Sequence, residues 1–110
     1  MIVYISGAIT NDPNYKDKFA KAEKRLTDKG HKVINPAKVA ESLPELKHEQ
    51  YLLIDKAMID ICDAVYFLKD WKESDGAQME YAYINIWDQI VIKTPKERKL
   101  IFEGDNEDEL

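Results

Sequence analysis

Short candidate strands, separated by stretches of helical period, constrain this chain more than anything else in it. Residues 2–6 (IVYIS) form the first run, which ends at Gly7. Tyr15, Phe19, Ala22 and Leu26 then recur at helical spacing through residues 15–29, and Gly30 stops the pattern. Residues 31–35 (HKVIN) read as a second strand, closed by Pro36, and residues 63–68 (DAVYFL) as a third. Unbroken apolar runs of this length predict strands buried on both faces. The period between the first two predicts an amphipathic helix with a glycine after its last turn. A helix is predicted over 50–61 and another over 75–89, with a loop over 69–74 between the third strand and the second of these. Residues 37–49 read as a short helix and a loop around Pro44. Residues 90–92 give a fourth strand and 99–102 a possible fifth. Strands alternating with helices imply a mostly parallel sheet covered on both faces. Ligands bind such sheets at the carboxyl ends of the strands, here at the loops beginning at Ser6, Asn35 and Lys69.

A chain of 110 residues suits one core, so a single domain is expected over 1–102. The acidic stretch 103–110 is expected to be a disordered tail. The net charge of −5 argues against polymeric nucleic acid as a partner but leaves room for a single nucleotide, whose phosphate backbone amides can hold. Cys62 stands alone among apolar neighbours and reads as a buried structural thiol in a reducing compartment. No apolar run approaches the ~20 residues of a membrane span. Residues 1–7 lack the basic flank of a signal peptide. A cytoplasmic protein without membrane contact is expected. His31 and His48 have no partner at ligand spacing, so neither a metal nor a cofactor is expected.

Glu80 is the residue out of place. On the 75–89 helix, Gln78, Ala82, Asn85 and Gln89 share the water side, while Ala77, Tyr83, Ile84 and Trp87 form the apolar stripe, with Glu80 at its centre. Glutamate is almost never fully buried without a partner or a function. One turn back, Gly76 and Ala77 leave open space beside the carboxylate. A carboxylate in an apolar setting with room beside it has the character of a substrate pocket. Tyr4 lies in a core strand, and its hydroxyl needs a partner such as Glu80. The small-residue loop Ser6, Gly7, Ala8, Ile9 and Thr10 follows the first strand, where amides can face a phosphate or ribose, although a tight turn at Gly7 explains it equally. It matches neither G-x-G-x-x-G nor a P-loop. Ser74 reads first as a helix N-cap and second as an anion ligand. Asp63 falls at the amino end of its strand, away from the expected crevice. Asp55 and Asp60 read as solvated helix residues.

Taken in order, Tyr4 to Thr10 (YISGAIT), Asn35-Pro36-Ala37, Asp55, Cys62 to Leu68 (CDAVYFL), Trp71, Ser74 and Gly76 to Glu80 (GAQME) form a pattern. It resembles the nucleoside 2-deoxyribosyltransferase-like superfamily, and most of all its small DUF4406-type bacterial and phage branch. That branch is written Y-I-S-G-P-[IM]-T … N-P-A … C-D-x-[IV]-Y-x-L … W-x-x-S-x-G-A-x-x-E, and the resemblance runs over residues 1–87. It implies a flavodoxin-like three-layer α/β sandwich with a four- or five-stranded sheet. It also implies an N-deoxyribosyl hydrolase or transferase, cleaving the N-glycosidic bond of a small nucleoside or nucleoside 5′-monophosphate. Carried over residue by residue, Glu80 would attack C1′, Tyr4 would orient it, and Asp63 would assist departure of the base. Ser74 would touch a 5′-phosphate. Ser6, Gly7, Ala8, Ile9 and Gly76 would cradle sugar and 5′ end, with the base near Trp71 or Asn35.

The chain departs from the pattern at Ala8, where proline is usual, and at Lys69-Asp70, where Pro-Gly is common. No arginine follows the first loop, and Asp75 flanks the phosphate position; both favour a nucleoside over a nucleotide. The alternative is a non-catalytic binder of a nucleotide or nucleotide-derived signal. Tyr81, Ile86 and Trp87 add apolar surface to the Glu80 helix, and superfamily enzymes build sites at subunit contacts, so a homodimer or higher even oligomer is expected.

Overall fold

The computed structural model describes residues 1–87 and 98–110. Its elements are β1 (Ile2–Ser6), α1 (Tyr15–Asp28), β2 (Lys32–Ile34), α2 (Pro36–Glu41), α3 (His48–Asp60), β3 (Ala64–Phe67), α4 (Asp75–Ala82) and β4 (Lys99–Phe102). The four strands are all parallel, in the order β2-β1-β3-β4. This is the flavodoxin-like α/β arrangement. The chain steps from β1 to one side for β2 and then to the other for β3, so its topological switch lies between β1 and β3. The predicted strand over 90–92 lies outside the described residues. The possible fifth strand over 99–102 is the fourth strand of the described sheet.

The alternation of β1 divides the interior. Val3 and Ile5 join Phe19, Ala22 and Leu26 of α1 in one buried layer with Tyr66 and Ile101. Tyr4 points the other way, into a layer with Val65, Phe67, Ile59 of α3 and Ile84. Gly30 adopts φ +91° just past α1, the left-handed stop its sequence position predicts. Asn35 caps α2 through its side chain, which accepts from the Ala37 amide at 3.0 Å.

Two local features differ from expectation. The predicted 75–89 helix is regular only to Ala82 and continues as a wider π-type winding over Tyr83–Trp87. The Asn85 side-chain amide bonds the Tyr81 carbonyl at 2.9 Å. Residues 103–110 are not a free tail but run back along the sheet. The Glu103 amide bonds the Phe67 carbonyl at 2.9 Å, the Tyr66 hydroxyl donates to Glu107 at 2.6 Å, and Leu110 packs on the α1 layer. Composition alone reports the charge of this stretch and not the buried tyrosine waiting for it. Among the described residues, no helix is long and apolar enough to cross a membrane.

Candidate functional site

β1 is the floor of the site. Its last two outward positions on the α4 side, Tyr4 and Ser6, both carry hydroxyls, and both are buried. Each donates to one oxygen of Glu80: Tyr4 to Oε2 at 2.5 Å and Ser6 to Oε1 at 2.8 Å. Glu80 arrives there because α4 begins at Ser74, whose hydroxyl accepts from the Ala77 amide at 3.1 Å and fixes where the helix starts. Only 6 % of Glu80 is exposed. Burial, and then the charge of Asp55, push its carboxyl up to about 8, against the two hydroxyl donors that pull it down. Burial likewise holds the Tyr4 phenol well above its usual range, so it remains a proton donor.

Asp55, expected as a solvated helix residue, belongs to the same site. It comes from α3, which packs beside α4, and it faces the same cavity as Tyr4 and Glu80. Burial raises it to about 6, offset by nearby His48 and by the Tyr4 hydroxyl. Near neutral pH the two carboxyls therefore hold about one proton between them, titrating as a pair rather than as separate groups. A signal for Asp55 was present: Leu52, Asp55 and Ile59 fall at i, i+3 and i+7, and Leu52 and Ile59 are both buried. It is the same test that singles out Glu80.

These groups open into a cavity of about 820 Å³ at the carboxyl ends of the strands. Gly7, Ile9 and Thr10 of the first loop, Pro36 and Ala37 of α2, and Ser74, Gly76 and Ala77 of α4 line it. The volume falls within the range of small-molecule sites. Gly7 is required sterically, since a Cβ there would lie 2.7 Å from Leu68 Cδ1.

Other residues singled out above lie elsewhere or serve the fold. Ser6 reaches Glu80 from beneath rather than lining the cavity, and the Ala8 amide is bound at 3.1 Å by the Asp70 carboxylate. Asp70 also pairs with Lys18, which in turn pairs with Asp12, so the chain's own charges tie the first loop to the loop after β3. Asn35 is turned to Ala37 and to Glu23, 3.2 Å away, leaving Pro36 as the flat surface that faces the cavity.

Trp71 lies apart from this cavity, among Phe67, Tyr81 and Phe102, with ring centroids 4.9–5.7 Å from its own. The direction in which the loop after β3 folds puts it there, and sequence spacing does not report that direction. Tyr81, read as spare surface, belongs to this cluster. Asp63 is at the opposite end of the sheet: it precedes β3, and its carboxylate accepts from the Ile2 amide at 2.8 Å. In a parallel sheet the first residue of a strand cannot reach a crevice at the carboxyl ends. Among the described residues, no group of three or more His, Cys, Asp or Glu side chains is placed to hold a metal ion.

A family model described as "Domain of unknown function (DUF4406)" matches residues 1–93. The chain belongs to the DUF4406 family. No curated protein and no solved structure matches it. The matched DUF4406 region contains Tyr4, Ser6, Asp55 and Glu80, so the whole buried carboxyl cluster lies within the family domain.

Proposed function

We propose that this protein cleaves the N-glycosidic bond of a small nucleoside or nucleoside 5′-monophosphate, as an N-deoxyribosyl hydrolase or transferase of the nucleoside 2-deoxyribosyltransferase type. One observation carries this reading: a buried glutamate, gripped by two hydroxyl donors, shares a nucleoside-sized cavity with a second raised carboxyl. Breaking an N-glycosidic bond builds positive charge on the sugar and requires a proton for the departing base. The pair supplies both when its single proton rests on Asp55. Glu80 is then the carboxylate, aimed by Tyr4 and Ser6, and its oxygen forms a bond to C1′. The C1′–N bond breaks with its electron pair going to the base, which takes the proton from Asp55. Water, deprotonated by Asp55, or a second base then attacks C1′ and frees Glu80. Asp55 thus takes the role that the resemblance assigned to Asp63.

Incubation with a panel of nucleosides and 5′-monophosphates, with free base read by chromatography, tests the proposal. Base release from at least one member is expected, falling at pH values below about 6 and above about 8 as the pair gains or loses its single proton. The second reading, a non-catalytic binder, is favoured by a Glu80 that is mostly neutral at pH 7 when the cavity is empty. Binding of a panel member without any base release would establish it instead. Assembly into a homodimer or higher even oligomer belongs to the same proposal, and a monomer in sedimentation at micromolar concentration would refute that part.

A further inference from the structure

The charge around the cavity decides more than its floor does. Glu41, Glu73 and Asp75 stand around the opening, with Asp55 and Glu80 deeper, against a single lining lysine, Lys16. Lys16 is already paired with Glu41 at 3.3 Å. Among the described residues, neither Glu73 nor Asp75 has an ion-pair partner. They flank Ser74, at the helix end where a 5′-phosphate would otherwise find its best anchor. The chain has also occupied the usual anion donors itself. The Ala77 amide at the start of α4 donates to the Ser74 hydroxyl and the Ala8 amide donates to Asp70, each at 3.1 Å.

Building on the reading of this cavity as a nucleoside site, we infer that it takes the unphosphorylated nucleoside and rejects the 5′-monophosphate, with Glu73 and Asp75 as the discriminating residues. A dianionic phosphate seated by Ser74 meets two carboxylates, and the one lysine lining the cavity, Lys16, is already paired with Glu41. The neutral 5′-hydroxyl meets no such penalty and can donate a hydrogen bond to either carboxylate.

The test uses the four common 2′-deoxynucleosides, each paired with its own 5′-monophosphate, and compares kcat/KM for base release within each pair. The nucleoside should be preferred by on the order of tenfold or more at low salt. The preference should shrink as ionic strength rises, since rim charges are screened. The Glu73→Gln/Asp75→Asn double variant, both changes on the surface, should narrow the ratio by a similar factor. Equal or better use of the monophosphate by the wild-type chain would overturn the inference while leaving base cleavage standing. A preference that neither salt nor the double variant moves would overturn the assignment to these two residues. Absence of base release and of binding for every nucleoside and every monophosphate would bring down the parent reading, and this inference with it.

Discussion

Two buried tyrosines, one on each face of the sheet, each donate a short hydrogen bond to a glutamate, and the two glutamates respond in opposite ways. Tyr66 bonds Glu107 at 2.6 Å, and the bond holds Glu107 below its ordinary range, helped by the charges of Arg25 and Lys29. Tyr4 bonds Glu80 at 2.5 Å, yet Glu80 rises to about 8. The donor is the same, so the donor does not decide. Glu107 is only half-buried and feels the charges of Arg25 and Lys29, whereas Glu80 is desolvated and feels the charge of Asp55. The first pair fastens a chain end to the core. The second holds a carboxyl in a state that folding alone would not favour, beside an open cavity, which is the arrangement expected of a reactive group.

The largest contrast should appear in catalysis. Glu80→Gln keeps the shape, with one hydroxyl still donating to the amide oxygen and the other turned to accept from the amide NH2, but removes the nucleophile, and base release should fall by about a thousandfold or more. Glu107→Gln should leave it unchanged. Comparable losses in both variants, read by chromatography of the free base, would dissolve the distinction.

Stability against pH should separate the pairs next. Below pH 4.5, the ordinary value for Glu80, its carboxyl is protonated in both the folded and the unfolded chain. As pH rises to about 8, the unfolded chain ionises first, so folding stability declines across that window. Asp55 adds a decline between its ordinary 3.8 and about 6. The Glu80 contribution should be on the order of 5 kcal/mol, and Glu80→Gln should remove it. The Glu107 effect has the opposite sign: its lowered value gives stability that is present above the ordinary carboxylate range and lost as pH falls. Urea unfolding of the three proteins across pH 4 to 9 measures both slopes.

Removing the donors sharpens the contrast further. Tyr4→Phe should cut kcat by about 10- to 100-fold and move the alkaline limb of the rate profile upward, because Glu80 loses a bond that favours its anion. Tyr66→Phe should leave the rate alone and cost about 1 kcal/mol of stability. The smallest effect belongs to Trp71→Ala, which should lower stability by about 1 kcal/mol through lost ring contacts and spare base release. A loss of base release in that variant would place the aromatic cluster within the site after all.

What could be read from the sequence follows from what is local. β1 and β3 were legible as apolar runs and β2 only as a Val-Ile pair before Pro36, and the layering followed from their alternation with helices. Glu80 was legible because a carboxylate breaks its own helix's stripe, and its need for Tyr4 followed from the strand position of that ring. Asp55 sits on an equally buried stripe, yet its helix carries enough charge to pass as solvated unless the period is counted. Asp63 shows the converse, a motif position whose strand polarity already placed it at the wrong end. Non-local pairings left no trace: Asp70 with Ala8 and Lys18, Glu107 with Tyr66, and the side of the sheet to which Trp71 folds.

The central claim is that Glu80 forms a bond to the sugar, and a trapping experiment reaches it most directly. A 2′-fluorinated analogue of whichever nucleoside releases base most rapidly destabilises the cation-like transition states and slows release of the glycosyl-enzyme. The reaction is quenched in acid, and the intact protein and its peptides are weighed by mass spectrometry. The account predicts one fluorinated sugar per chain, carried on the peptide containing Glu80 and absent from Glu80→Gln. Base release with no adduct, or with the sugar on any other residue, would contradict it.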